Sequence, residues 1–257
     1  MKLGFMNLMT TQNIIDDINF AIKNNFNVFE IDLDWEQNWN LKKEIIKEIK
    51  DKSEAHDLYL IVHTPWFLPT STILPNIQKP VIKVIKKGIV FANEIHSNQI
   101  TVHSGYTESP IKKKNYEALI NTMKELVKFG KNHDIMIGLE NHAIPNYPCF
   151  YVDDLLRVIN SVDGLGVTLD MGHVNITRTP FQEYYKKIKD FVIDVHVHDN
   201  DSSSDQHKCI GEGTINFNSV LKEFKKNNYF GPFILEIFPY ENILKGGDRF
   251  LKIWNSI

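Results

Sequence analysis

Six consecutive apolar runs in this chain each deliver a histidine or a carboxylate at the same end. They are Ile61-Val-His63, Ile100-Thr-Val-His103, Ile137-Gly-Leu-Glu140, Val167-Thr-Leu-Asp170, the run through His196, and Ile234-Leu-Glu236. Two loop stretches add to them. Asp170-Met-Gly-His173 places a histidine where the chain leaves a strand, with Gly172 read as the small residue that lets the backbone turn. Asp205-Gln-His207 has the spacing that puts two ligands on one side of an extended segment. Four acids and five imidazoles gathered in one place repel one another or stay protonated unless cations sit among them, so the economical solution is divalent metal. The ligand set expected is His63, His103, Glu140, Asp170, His173, His196, Asp205, His207 and Glu236. Any one of these histidines, standing alone, would read as a hydrogen-bonded structural residue. In Asp194-Val-His-Val-His-Asp-Asn200, His196 and His198 fall on one strand face. His198, His142 and Glu30 are read as structural hydrogen-bonding residues and Asp199 as a partner that orients ligands.

Strands that carry such residues must end on a common rim. Apolar runs at about 3–8, 26–32, 58–63, 99–103, 135–140, 165–170, 192–198 and 232–238 read as strands. Between and after them, helical periods fall at about 12–24, 41–56, 77–96, 114–133, 153–160, 180–189, 217–227 and 241–255. Eight strands alternating with eight helices predict an α/β fold, a (β/α)8 barrel spanning residues 1–257 as one domain, with chemistry at the carboxyl ends of the strands. No glycine-rich fingerprint follows the first strand to favour an open doubly wound sheet. The lysine-rich stretch at 41–56, with Leu41, Ile45, Ile46 and Ile49 on one face, reads as a solvated outer helix. The apolar, proline-punctuated stretch Trp66 to Pro75 reads as a loop that lids the site, packs at a subunit interface or simply packs locally.

A formal charge of −3 and only three arginines, Arg157, Arg178 and Arg249, count against a nucleic-acid partner. Cys149 and Cys209 make no disulfide framework, no apolar run has membrane-spanning length, and the first residues lack the apolar core of a secretion signal. The expectation is a soluble, cytoplasmic protein without a membrane partner.

The runs Val62-His-Thr-Pro65, Val102-His-Ser-Gly105, Leu139-Glu-Asn141, Leu169-Asp-Met-Gly-His173, His196-Val-His-Asp199, Asp205 to Gly213 and Leu235-Glu236 resemble the xylose-isomerase-like barrel superfamily. That superfamily holds sugar isomerases and epimerases, tagatose 3-epimerase-like enzymes among them, and the endonuclease IV family. The epimerase branch implies one divalent ion (Mn2+, Co2+ or Mg2+) on Glu140, Asp170, His196 and Glu236. Proton transfer next to a carbonyl, through an enediolate, would be carried by Glu140 and Glu236, with His173 touching a sugar or sugar-phosphate substrate. The nuclease branch implies up to three Zn2+ on all nine positions and attack on a phosphodiester at abasic sites in DNA. Against the epimerase pattern, no arginine follows His196, and Ser202 lies near that place. Against the nuclease pattern stand the short chain, the scarce arginines and the run Leu139-Glu-Asn-His142. The expectation is a metal-dependent sugar isomerase or epimerase, the alternative an endonuclease IV-like phosphodiesterase, and the resemblance also implies a homodimer.

Overall fold

A computed structural model describes residues 1–7, 13–106 and 112–257. Eight parallel strands, β1 (Lys2–Met6), β2 (Val28–Asp32), β3 (Tyr59–His63), β4 (Gln99–His103), β5 (Met136–Glu140), β6 (Leu165–Asp170), β7 (Val192–Val197) and β8 (Pro232–Leu235), close in sequence order into a barrel, β8 pairing with β1. Helices α1 (Ile14–Lys23), α2 (Lys43–Ala55), α3 (Pro75–Glu94), α4 (Lys112–Lys131), α5 (Val152–Ile159), α6 (Met171–Thr177), α7 (Phe181–Ile188), α8 (Phe217–Lys226) and α9 (Ile243–Ser256) connect them or follow β8. This is the (β/α)8 barrel that the alternating pattern predicts. The expected strand end at residue 8 and helix start at residue 12 lie outside the described residues.

The strands form because one set of side chains meets the helices and the alternate set fills the barrel. Outward residues such as Phe29, Ile31, Leu60, Val62, Ile100, Val102, Leu139, Val167, Leu169, Val195 and Leu235 join the main apolar core. The inward residues differ by level. Met6, Val28, Ile61 and Ile234 form a small apolar cluster of their own. One level is polar, with Glu30, Thr101, Thr168 and Asp194 all fully buried. The Thr101 hydroxyl donates to Glu30 Oε1 at 3.0 Å and lies 3.2 Å from the Thr168 hydroxyl. Two residues further along each strand comes the rim, because side chains on one strand face recur every second residue.

Register then sets the rim level. His103 pairs with Glu140, Asp170 with His196, and Asp32 with His63 across neighbouring strands. Strand-end positions chosen by alternation alone therefore stand side by side.

Helix α6 departs from the expected pattern. The chain does not turn loosely at Gly172. Asp170 closes β6 and at once caps a helix, its Oδ1 accepting from the His173 amide at 2.7 Å. Gly172 lies inside that helix, and a Cβ there would overlap the His198 ring. The glycine is thus required by close packing of an imidazole and not by a turn. Among the described residues no helix is long and apolar enough to cross a membrane. Both cysteines are buried and unpaired.

Candidate metal centre and active site

The rim residues surround a cavity of about 310 Å3 at the carboxyl ends of the strands, lined by His63, His103, Glu140, His173, Asp205, His207 and Glu236, together with Asp32, Asp34 and His142. Asp170 and His196 lie beneath it, fully buried. All nine sequence-expected positions converge there, in three overlapping groups.

In the first group, His103 Nε2 is 2.9 Å and His63 Nε2 3.4 Å from Glu140 Oε2, with the two imidazole nitrogens 3.2 Å apart. In the second, His196 Nδ1 is 3.1 Å from Glu236 Oε1 and 3.7 Å from Glu140 Oε1. The third gathers on Asp205, whose Oδ2 is 3.2 Å from both His173 Nε2 and His207 Nε2. Glu140 joins the first two groups through its separate oxygens. Asp170 Oδ2, 3.7 Å from His173 Nε2, belongs beside the third.

The histidines are oriented for ligation. His173 Nδ1 is 2.6 Å from the Asn141 carbonyl, and His207 Nδ1 is 2.9 Å from the Glu236 carbonyl. A carbonyl only accepts, so each Nδ1 carries a proton and each Nε2 is the atom turned to the cluster, the orientation metal-ligating histidines use. Asn141 also fixes Asp170, donating to its carbonyl at 3.0 Å and accepting from its amide at 2.8 Å. The His207 backbone has φ of 47°, so Asp205 and His207 meet through a left-handed residue and not along an extended segment.

The buried carboxylates and imidazoles shift one another's proton affinity. Burial pushes the Glu140 carboxyl up, but the imidazoles of His103 and His196 outweigh it and hold Glu140 well below the usual carboxylate range. Burial dominates at Glu236, where it pushes the carboxyl up to about 8 against the attraction of His196. Burial works against a charged imidazole at His63, yet the hydrogen bond to Glu140 and the charge of Glu30 raise it to about 10. His173 and His196 are likewise held well above the usual value, against burial, by Asp170 and Asp205 in one case and Glu236 and Glu30 in the other. Asp205, despite burial, is held below its usual range by His173 and His207. Buried carboxylates and raised imidazoles therefore face one another across the site.

Divalent ions fit these residues together with His198. His196 Nδ1 is buried, lacks a hydrogen-bond partner and sits between two carboxylate oxygens. Potential ligand atoms of His63, His196 and Glu236, of His63, His103 and Glu140, and of Asp170, His173 and His198 lie within 4.8 Å of one another in each trio.

The supporting residues divide. His198 leaves the strand, is fully buried, and brings Nε2 to 3.2 Å from Asp170 and 3.4 Å from Asp205 Oδ1 while stacking on His207. His142 accepts from the Ile144 amide at 3.0 Å and stacks on Tyr147, and burial followed by repulsion from His103 and His173 lowers it to about 3. Asp199 acts on the expected ligands only through the backbone. Its two oxygens are engaged by the amides of Asn200, Gly211, Gly213 and Ile215, so it moors the 200–215 loop that carries Asp205 and His207.

Several site residues escape the sequence reading. Asp32 ends β2 by the same rule that selects the other strands, and it faces His63 Nδ1 at 3.9 Å. Burial raises its carboxyl to about 7. Trp66, Tyr106 and Phe238 line the cavity from three separate loops. Tyr106 and Phe238 carry no local sequence signature, whereas Trp66 opens the loop that the sequence offers as a lid. Trp66 belongs to the proline-punctuated loop, whose middle is anchored by the Thr70 hydroxyl donating to the His103 carbonyl at 2.7 Å. That loop walls the cavity on one side and leaves Trp66, Phe67, Ile73 and Leu74 exposed.

A closed parallel barrel with carboxylates and imidazoles converging at its carboxyl rim defines the class, and the chain belongs to the xylose isomerase-like TIM barrel family, whose model matches residues 18–254. Its relatives are more specific. A protein of Methanocaldococcus jannaschii with no assigned activity is 30% identical over 251 residues, covering 92% of this chain and 83% of its own. Fructoselysine 3-epimerase of Shigella flexneri is 23% identical over 77% of this chain and 75% of its own. A crystal structure described as a D-tagatose 3-epimerase-like protein superposes with a TM-score of 0.90 at 27% identity, covering 100% of this chain and 99% of that one.

Proposed function

We propose that this protein is a divalent-metal-dependent sugar isomerase or epimerase that moves a proton at the carbon next to a carbonyl. The observation that carries the reading is the placement of two carboxylates, Glu140 and Glu236, against the same buried, unpartnered imidazole nitrogen of His196 and on the wall of one cavity. Likeness to a fructoselysine 3-epimerase and to a tagatose 3-epimerase-like protein supports the sugar as substrate. A divalent ion on Glu140, Asp170, His196 and Glu236 (Mn2+, Co2+, Mg2+ or Zn2+) would supply positive charge that makes a C–H beside a carbonyl more acidic.

Each proton-carrying carboxylate has a free role for its second oxygen. Glu140 Oε1 faces His196 while Oε2 faces His103, and Glu236 Oε1 faces His196 while Oε2 is 3.9 Å from His207. One of the two removes the proton and the other returns it, which inverts the carbon when they act from opposite sides. His173, its tautomer fixed by the Asn141 carbonyl, holds substrate oxygens. Trp66, Tyr106 and Phe238 cover the apolar faces of the sugar and keep bulk water out. The exposed Trp66, Phe67, Ile73 and Leu74 beside the mouth are the face on which we place a homodimer contact. A monomer by sedimentation at working concentration would remove that contact.

The decisive experiment is incubation with a panel of ketoses, free and phosphorylated, in D2O with each divalent ion. Deuterium at the carbon beside the carbonyl is the expected result. A second reading, a zinc phosphodiesterase acting at abasic sites, is favoured by one feature, the division of the nine residues into three groups. Nicking of an abasic oligonucleotide by protein holding three Zn2+ per chain, with no deuterium entering any ketose, would overturn the first reading in favour of the second.

A further inference from the structure

Strand β2 contributes no residue to the proposed ligand set, yet it places a carboxylate in the most buried part of the barrel. Glu30 is fully buried, with Val28 before it and Asp32 after it on the same face. Its Oε1 is held by the Thr101 hydroxyl at 3.0 Å. Its Oε2 has no hydrogen-bond partner and lies 3.1 Å from His196 Nε2, which also has none. The opposite nitrogen of the same ring, Nδ1, is the one that faces Glu236 and Glu140. The nearby Asp194 carboxyl is already engaged through Oδ2 by the Gln99 amide at 2.7 Å.

An isolated carboxylate buried among apolar strands is costly unless it is paired. The threonine hydroxyl satisfies one oxygen of Glu30 and leaves the other for the imidazole. A carboxylate behind a ligating histidine fixes which nitrogen carries the proton, locks the ring and makes the other nitrogen a better donor.

We propose that Glu30 is a positioning residue that holds His196 with its proton on Nε2, so that Nδ1 is the atom presented to a divalent ion. Asp32 stands in a similar relation to His63, but at 3.9 Å it is beyond hydrogen-bond length, and the proposal does not extend to it. It rests on the ion-binding reading above, and the test keeps the two apart.

Co2+ is titrated into the wild-type protein and into Glu30→Gln, following both the dissociation constant and the visible absorption spectrum, while thermal melting of the metal-free proteins reports on the fold. Gln keeps the side-chain shape and removes the charge. Affinity is expected to fall about 10–100-fold with an altered Co2+ spectrum, the range seen when such supporting partners are removed. The metal-free melting temperatures should stay close, a result that a purely structural Glu30 would not give. If the wild-type protein takes up no divalent ion, the ion-binding reading itself is lost. Wild-type uptake with an unchanged affinity and spectrum in Glu30→Gln overturns the positioning role alone. Should the variant not fold, 15N-histidine NMR of the Zn2+-loaded wild-type protein decides. A proton on His196 Nε2 with a metal-shifted Nδ1 upholds the proposal, and the reverse assignment overturns it.

Discussion

Glu140 and Glu236 sit in one cavity but in unlike surroundings. Glu140 has His63, His103, His173 and His196 within 3.7 Å of its oxygens, whereas Glu236 has His196 at 3.1 Å and His207 only at 3.9 Å. Without an ion, the first is an anion bathed in positive charge and the second is pushed up to about 8 by burial. Replacing Glu236 by Gln removes a proposed proton carrier and ligand oxygen but no apolar packing. Turnover in Glu236→Gln should therefore fall by at least about 100-fold, the lower range for loss of a general acid or base. The metal-free melting temperature should hold or rise, because a costly buried carboxyl has gone. Deuterium wash-in and calorimetry on the same preparation would check both, and near-normal exchange would remove Glu236 from the mechanism.

Two short elements hold the third ligand group in place. The loop from Asn200 to Ile215 carries Asp205 and His207, and its path is fixed by one carboxylate, Asp199, accepting from four backbone amides. In Asp199→Asn an NH2 group must face amide donors, and hydrogen bonds to a charged acceptor worth about 1.5–3 kcal/mol are lost. Under the one-ion reading, metal stoichiometry in Asp199→Asn should stay at one per chain while the variant melts earlier, whereas a partial loss from three ions per chain would favour the phosphodiesterase reading. Helix α6 is held differently. Gly172→Ala drives a methyl group into the His198 ring, and overpacking of this kind costs about 1–3 kcal/mol. Chemical denaturation of that variant in its metal-free form measures the cost, and an unchanged midpoint would show that the helix simply moves away. These elements also mark the limit of what the amino-acid order conveys. The strands and their rim residues are legible because period-two alternation, apolar outside and functional inside, persists to the last residue of β3, β4, β5 and β6. Asp32 is legible by the same rule. The seven-residue α6 is hidden because Asp170 is at once the end of a strand and the cap of a helix, with no intervening turn. Tyr106 and Phe238 are hidden for another reason: they come from separate loops and reach the cavity only after the barrel closes. Asp199 misleads because it adjoins the cluster in sequence while its oxygens are spent on the loop.

Across the whole barrel, burial and mutual attraction give one sign to the pH response of the groups that titrate at and above neutral pH. His63 is raised to about 10 from a usual 6.5, and His173 and His196 move in the same direction. Glu236, Asp32 and Asp194 are raised to about 8, 7 and 7 from ordinary carboxylate values. For every one of these groups the folded chain binds a proton more tightly than the unfolded chain. Their contribution to stability is present at low pH and disappears as pH rises through the folded values. Glu140, Asp170 and Asp205 are shifted down and act in the opposite sense, but their contribution is lost only toward strong acid. The metal-free protein should accordingly lose stability between about pH 6.5 and pH 10, the window set by His63. On the proposed reading a divalent ion would replace those protons as the neutralising charge, so its binding would release protons and tighten as pH rises. Melting curves with chelator and with excess divalent ion, at about pH 6, 7.5 and 9, should show the chelated protein falling and the gap between the two widening. A chelated melting temperature that is flat or rising over this range, with a constant gap, would mean that the imidazoles are not holding the carboxylates together through their protons. The case for an ion taking over that role would lose its electrostatic basis.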